Sequence, residues 1–185
     1  MDLSMFTLQF DQNALKDKNR FELLITDENE LSGLPESARD AAAMLAKSKD
    51  KDGWLFNLSA PSYIPFMRYS DKRDLREKMY REYMSVGNKG DEFDNKDIIK
   101  KIVNIRLEIA QLMGFKNYAE YALEHTMAKN SANVYKLLNQ LLEAYKPIAI
   151  NEYNAVEGFA LGTEKENITV MPWDWSYYSE KLRDI

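Results

Sequence analysis

Hydrophobic residues recur at intervals of three and four along most of the chain, which is the periodicity of an amphipathic helix. In the clearest case, steps of four, three, four and three residues join Ile98, Ile102, Ile105, Ile109 and Leu112. We predict a helix that begins near Asp94 and ends at Gly114, a residue type that commonly terminates helices. Such a stripe normally faces the core of its own domain, so these positions are expected to be buried.

Four further helices are predicted from the same periodicity and cover 35–49, 70–84, 117–129 and 130–162. Ser70 and Asn117 are residue types that cap helix N-termini, and Glu120 would complete a capping box with Asn117. Pro147 lies inside the longest of these helices, where it predicts a kink rather than a break. A last helix is predicted to start around Trp175.

A single segment favours a β-strand, the run Trp54–Leu58. Pro61 and Pro65 are predicted to exclude regular structure from the residues that follow it. The first 34 residues contain the apolar stretches MFTLQF and FELLIT, whose spacing fits either a strand or a helix. With a loop over 162–170, the pattern predicts a mainly all-α fold: a multi-helix domain with at most one or two short β-strands.

Composition agrees with this fold and narrows the possible partners. The seven glycines and five prolines are too few for a turn-rich β fold. The 25 basic and 30 acidic residues alternate along the chain, and the net charge of −5 argues against nucleic acid as a partner. There is no cysteine, and no apolar run approaches the roughly 18 residues that span a bilayer. The N-terminus lacks the features of a signal peptide, so a cytoplasmic location without a membrane partner is predicted.

The sequence also lacks the residues of common catalytic sites. A catalytic zinc site takes three protein ligands, and His125 is the single histidine, with Glu124 beside it but on a different face of the helix. No Gly-x-Ser-x-Gly sequence, P-loop or dinucleotide-binding glycine pattern occurs. Paired acids such as Glu92 and Asp94 precede a helix, where carboxylates usually form turns or caps. We therefore predict no catalytic residue, no metal ligand and no bound cofactor in this chain.

An aromatic cluster near the C-terminus is the candidate interface. Trp173, Trp175, Tyr177 and Tyr178 lie within six positions, and the chain ends seven residues after the last of them. These rings either pack back onto the preceding helices or form the edge of a larger interface.

A series of motifs, taken in order, resembles one peptidase family. They are GLPES (33–37), WLFNLSAPSYIP (54–65), DLRE (74–77), DN (94–95), LEIAQLMGFKNYAEYAL (107–123), MAK (127–129) and WDWSYYSEKLR (173–183). Their order and spacing resemble the thimet oligopeptidase, neurolysin and oligopeptidase A family of zinc metallopeptidases, and within it the peptidyl-dipeptidases most closely. The resemblance extends from about Leu8 to Arg183. One departure is Ser85-Val86-Gly87, where members commonly carry Arg-Ala, and it concerns the geometry of that loop.

The resemblance implies a larger parent protein, in which the zinc-binding H-E-x-x-H helix lies downstream of the W-D-W-x-Y-Y segment. Residues 1–185 would then be a single helical fragment that ends before the catalytic region, either an expressed domain or a truncated reading frame. It would form a non-catalytic part of the channel wall, with the aromatic cluster facing the remainder of the peptidase. The parent would bind zinc and hydrolyse short peptides, releasing C-terminal dipeptides. The alternative is a free-standing helical module that binds a partner protein through its aromatic C-terminus.

Overall fold

The structure, a computed structural model, describes residues 2–164 and 168–184. Within these ranges the chain is mainly α-helical, as predicted, with two short strands and one 3-10 helix at Glu28–Leu31. The strands are β1 (Leu23–Ile25) and β2 (Trp54–Phe56). The helices are α1 (Leu3–Arg20), α2 (Glu36–Ser48), α3 (Ala60–Tyr69), α4 (Arg73–Met84), α5 (Lys96–Leu112), α6 (Tyr118–Leu123), α7 (Ser131–Thr163) and α8 (Pro172–Arg183).

The main core surrounds a two-stranded antiparallel ribbon, in which Leu23 pairs with Phe56 and Ile25 with Trp54. Gly53 allows the chain to enter β2, because its φ is +111° and an added Cβ would lie 2.3 Å from the carbonyl oxygen of Ile25. Side chains from the ribbon, α2, α3, α4 and α8 fill the core. Its buried members are Leu23, Ile25, Leu31, Leu34, Ala42, Phe56, Leu58, Phe66, Met67, Met79 and Trp173.

The isoleucine-rich helix is confirmed as α5, and it ends at Leu112, two residues before the predicted end at Gly114, whose φ is +83°. Its stripe is buried over the first turns, at Ile98, Ile102 and Ile105. Burial of the whole stripe is nevertheless wrong, because Leu112 is 87% exposed. Helix α1 packs on the first turns of α5, where Asn13 donates to Asn95 at 3.2 Å and Lys101 lies over the Phe6 ring. In the last turn Ala110 is still buried, whereas Leu112 faces solvent.

Several other predicted elements are confirmed with small shifts. Helix α2 and strand β2 lie where they were expected, and the undecided first 34 residues form α1, β1 and the 3-10 helix. The side chain of Asn117 accepts from the N–H of Glu120 at 3.0 Å and caps α6, although this helix ends at Leu123 instead of near Lys129. Residues 165–167 of the predicted loop 162–170 lie outside the described residues.

The longest helix, α7, begins after Asn130, whose side chain accepts from the N–H of Asn133 at 3.0 Å. The helix is 33 residues long and passes through Pro147 without a break. It ends at Thr163, one residue beyond the predicted end. Its packing within the chain is concentrated at its C-terminal end, where Val156 and Ala160 are buried against α8.

Two predictions on helix boundaries are wrong for tertiary reasons. Helix α3 runs through both prolines. Pro61 lies in the first turn, where backbone N–H groups make no intrahelical hydrogen bond, so its lack of an N–H costs nothing. Pro65 lies in the interior and removes one backbone hydrogen bond. Burial of Phe66 and Met67 on the same helix offsets that loss. Ser70 does not cap α4, because it terminates α3 and leaves Lys72 as the residue before α4.

The core makes a direct prediction for stability. Phe66→Ala should lower the free energy of unfolding by about 3–5 kcal/mol, because the ring is fully buried and meets Phe56 edge-on at 4.8 Å between centroids. Ile64→Ala, two residues earlier on α3 and 45% exposed, is the control and should cost less than about 1 kcal/mol. Urea unfolding followed by circular dichroism measures both, and equal losses would contradict this view of the core.

Candidate functional site

The four residues of the candidate interface lie on α8, and they differ in burial: three are buried and one is partly exposed. The rings of Trp173, Tyr177 and Tyr178 are buried by the chain itself. Trp175 keeps 36% of its surface exposed and stacks on Tyr153 of α7, with 5.7 Å between centroids and 9° between planes. The interface on α8 stays a prediction, and Trp175 is the ring that remains open to a further contact.

The spacing along α8 and its start explain this division. Helix α8 begins at Pro172, three residues before the predicted start, because the side chain of Asp174 accepts from the backbone N–H of Met171 at 3.0 Å. Trp173 then enters the main core, while Tyr177 and Tyr178 join a second cluster with Val156 and Ala160. At 100° per residue, Trp175 lies about 160° around the helix from both Trp173 and Tyr177. It lies about 60° from Tyr178, at the edge of the contact with α7, where it stacks on Tyr153.

Asp174 is the buried centre of an ion-pair network that joins α8 to α4. Its carboxylate accepts from Arg73 Nη2 at 2.7 Å and from Arg76 Nη2 at 2.9 Å. Arg76 is itself 1% exposed, and it also donates to the carbonyl oxygens of Ser70 at 2.7 Å and Trp173 at 3.3 Å. A buried charge is tolerated when it is paired and its hydrogen-bonding positions are filled, and this network meets both conditions.

These hydrogen bonds keep the carboxyl group of Asp174 ionised. Burial is the largest single influence on its pKa and would raise it. The hydrogen bonds from Arg73, from the N–H of Met171 and from Arg76 together outweigh burial, so the pKa of Asp174 lies below its ordinary value. With its oxygens occupied by fixed donors, the carboxylate is a structural anion rather than a general acid or base.

Two tyrosine hydroxyls extend the attachment of α8 to the α3–α4 corner. Tyr177 donates to Asp71 at 2.7 Å, and Tyr69 donates to Glu180 at 2.7 Å. The guanidinium of Arg76 lies 4.0 Å from the centroid of the Tyr177 ring, within the range of a cation–π contact. Burial, assisted by the bond to Asp71, raises the pKa of Tyr177, so its hydroxyl remains a donor. The side of α8 that faces the α3–α4 corner is therefore occupied by contacts within the chain.

A second apolar surface lies along α7 and is open to solvent. Six large side chains on successive turns, each between 43% and 62% exposed, form what we call the apolar stripe: Leu137, Leu138, Leu141, Leu142, Tyr145 and Ile148. Helical spacing predicted the helix but not this exposure. The signal that could have revealed it is length, because a helix of 33 residues extends about 50 Å, whereas a small domain is about 30 Å across.

An apolar cleft of about 470 Å³ lies where α4, α7 and α8 meet. It is lined by Tyr80, Tyr153, Val170, Met171, Pro172 and Trp175. Since Tyr153 is on α7, the cleft adjoins the C-terminal end of the apolar stripe. The stripe and the cleft together form the candidate functional surface of the chain.

Residues suited to bind a metal ion are dispersed. Across 2–164 and 168–184, no three His, Cys, Asp or Glu side chains are grouped so that they could hold one. His125 is on the surface, with Nε2 3.6 Å from a carboxylate oxygen of Glu124. Among the described helices, none combines the length and apolar character needed to cross a membrane.

The family model for peptidase family M3 matches residues 66–184, from α3 to α8. The chain belongs to peptidase family M3. This confirms, at the level of the family, the resemblance carried by the sequence motifs. The matched range includes Arg73, Arg76 and Asp174 and the whole of α7, so both the ion-pair network and the apolar stripe lie within the family domain.

Relatives of known name include oligopeptidase A of Haemophilus influenzae, 40% identical, and oligopeptidase A of Escherichia coli, 38% identical. Dipeptidyl carboxypeptidase of Escherichia coli is 27% identical. Each alignment covers 98% of this chain and 27% of the relative, so this family M3 chain spans about a quarter of their length. The narrower assignment to the peptidyl-dipeptidases stays a prediction, since the identity to the oligopeptidases A is higher.

The ion-pair network predicts a large loss of stability on removal of its anion. Asp174→Asn should lower the free energy of unfolding by about 3–5 kcal/mol, because it leaves the buried guanidinium of Arg76 without its counter-charge. Asp184→Asn, near the exposed end of α8, is the matched control and should change it by less than about 0.5 kcal/mol. Denaturant unfolding of the three proteins measures the difference. A loss of under about 1 kcal/mol at Asp174 would show that the network contributes little.

The same network predicts a dependence of stability on pH. Because the pKa of Asp174 is lowered by folding, its contribution is complete above the ordinary value of 3.8 and is lost as the pH falls through the lower folded value. We expect the stability difference between the wild-type chain and Asp174→Asn to be constant from about pH 7 to pH 5 and to shrink below about pH 4. Urea titrations across this range measure it, and a difference independent of pH down to about pH 2 would contradict the assignment.

Proposed function

We propose that the full-length protein containing this chain is a zinc metallopeptidase that hydrolyses short peptides. Residues 1–185 form a non-catalytic helical part of it. The observation that carries the proposal is the match to peptidase family M3 over residues 66–184, together with alignment of 98% of the chain to the oligopeptidases A. Two of the relatives are named for their action on oligopeptides, and a third for removing dipeptides at the carboxyl end.

The residues of this chain do not fit a zinc site. A catalytic zinc needs three protein ligands, whereas the chain has one histidine, exposed at the surface, and no described cluster of ligating side chains. The metal ligands and the general base would therefore belong to the part of the protein outside residues 1–185. Zinc bound there would polarise the scissile carbonyl and activate water.

The role that remains for this chain is structural. Its helices would form part of the wall of a channel that admits short, unfolded peptides and excludes folded proteins. A rigid main body, with α8 fixed to α4 through Asp174, suits a wall that must keep its shape while peptides enter and leave. The remainder of the peptidase would be the partner of this wall.

Hydrolysis of internal bonds of short peptides is the favoured mode, because identity to the oligopeptidases A is 38–40% against 27% to the dipeptidyl carboxypeptidase. Release of C-terminal dipeptides, which the sequence motifs favoured, is the second mode. A free C-terminal carboxylate is needed only for the second. Substrates with an amidated C-terminus therefore separate the two.

The test begins with the source gene, read beyond the codon for residue 185 for an H-E-x-x-H sequence in frame. The encoded full-length protein should hydrolyse peptides of about ten residues, lose activity with a metal chelator and recover it with zinc. Internal cleavage should persist on amidated peptides, whereas dipeptide release should stop. The isolated chain 1–185 is the control and should be inactive. If no such sequence is encoded in any frame, or if hydrolysis is insensitive to chelation, the proposal is wrong and a protein-interaction module is the remaining function.

A further inference from the structure

We infer that the apolar stripe of α7 is a docking face for the part of the full-length protein that lies outside residues 1–185. The inference rests on the proposed function, since it takes the full-length protein to have the extent of its M3 relatives. It identifies the surface of this chain that the rest of the peptidase covers, and it places that surface mainly on α7. On α8, Trp175 contributes at the edge.

The stripe has the character of an interior helix face. Its six residues lie within about 140° of the helix circumference at 100° per residue. The opposite side of the same turns carries polar residues, which are Lys136, Asn139, Gln140, Glu143 and Lys146. An amphipathic helix with this division normally turns its apolar side towards a protein core. Here that side is 43–62% exposed along its length, so the described chain does not supply the covering layer.

The buried end of α7 shows how the stripe is covered elsewhere on the same face. At 100° per residue, Val156 and Ala160 continue the stripe towards the C-terminus of the helix. There they are buried, with exposures of 5% and 0%, by Tyr177 and Tyr178 of α8. One face of one helix is therefore already an intramolecular interface at one end and bare at the other. A further helical layer that continues α8 would complete the burial.

The extent of the relatives supplies the occupant. Each alignment leaves about three-quarters of the relative outside the matched region, so the full-length protein offers ample additional polypeptide to cover the stripe. The apolar cleft at Tyr153 and Trp175 adjoins the stripe and requires an apolar side chain to fill it. An apolar helix or loop from the remaining protein can occupy both.

A second copy of the chain fits less well. Antiparallel pairing of two α7 helices about Leu141 and Leu142 would place Tyr153 of one copy beside Asn130 of the other, because the two positions lie at equal distances from the centre. The apolar cleft would then face the polar segment Lys129–Asn130 and remain unfilled. The remainder of the same protein is therefore the favoured occupant.

The test compares hydrogen exchange in the full-length protein and in the isolated chain 1–185. Backbone amides of residues 137–146 should exchange at least about tenfold more slowly in the full-length protein, because covering the helix suppresses its local opening. Amides of α2, which belongs to the main core in both proteins, are the internal control and should exchange at similar rates. Equal exchange in 137–146 would overturn the inference.

A pair of adjacent substitutions gives an independent readout. Leu141→Glu lies in the apolar stripe, and Gln140→Glu lies on the polar side of the same turn. In the full-length protein, Leu141→Glu should lower the thermal midpoint by several degrees and abolish the protection of 137–146, whereas Gln140→Glu should change neither. In chain 1–185 both variants should match the wild type, because Leu141 has no covering layer there to lose.

The remaining outcomes identify other occupants or separate the two proposals. A dimer of chain 1–185 in sedimentation that Leu141→Glu dissociates, with equal exchange in both proteins, would assign the stripe to a second copy. If Leu141→Glu leaves the thermal midpoint of the full-length protein unchanged but raises its KM for peptides, the stripe would lie in the channel. This result and the dimer would each overturn the inference. If residues 137–146 are protected from exchange in the full-length protein but it does not hydrolyse peptides, only the proposed function is wrong. If it hydrolyses peptides but these residues are not protected, only this inference is wrong.

Discussion

The position of α8 depends on one buried carboxylate, Asp174, held between Arg73 and Arg76. Burying the charges of Asp174 and Arg76 is costly unless their hydrogen bonds are complete, and here the half-exposed Arg73 also reaches the same carboxylate. Such a geometry leaves little freedom in the angle between α4 and α8. The network therefore determines where the rings of α8 lie, with Trp173 in the main core and Trp175 at the edge of the cleft.

The long helix follows from this placement. Tyr177 and Tyr178 present the aromatic surface on which Val156 and Ala160 of α7 pack. Because this contact involves only the C-terminal end of α7, the rest of the helix projects from the body with its apolar side uncovered by described residues. A charge network in one corner thus sets the direction of a hydrophobic surface that lies several turns away.

Local patterns predicted the helices well and their environments poorly. The isoleucine periodicity of α5 and the capping residue Asn117 act over three or four positions, and both were visible in the sequence. The pairing of Arg76 with Asp174 joins residues 98 positions apart, and no local pattern indicates it. The helix through Pro61 and Pro65 forms because burial of Phe66 in the core offsets the local cost of the prolines. That stabilisation comes from tertiary packing, which local rules for proline do not include. Periodicity likewise defines the apolar face of α7 without specifying what covers it.

Because of the hydrophobic effect, covering the apolar stripe of α7 would stabilise the proposed full-length protein. Complete burial of a Leu, Ile or Met side chain stabilises a protein by about 1.5–3 kcal/mol, and the stripe carries several such side chains that are only half covered. Net stability of a domain is about 5–15 kcal/mol, so covering the stripe would change the balance between folded and unfolded states substantially. Because α8 already covers one end, a helical layer added beside α8 would join the aromatic corner and α7 into a single continuous core. Such a layer would make the stability of this chain depend on its packing against the added polypeptide.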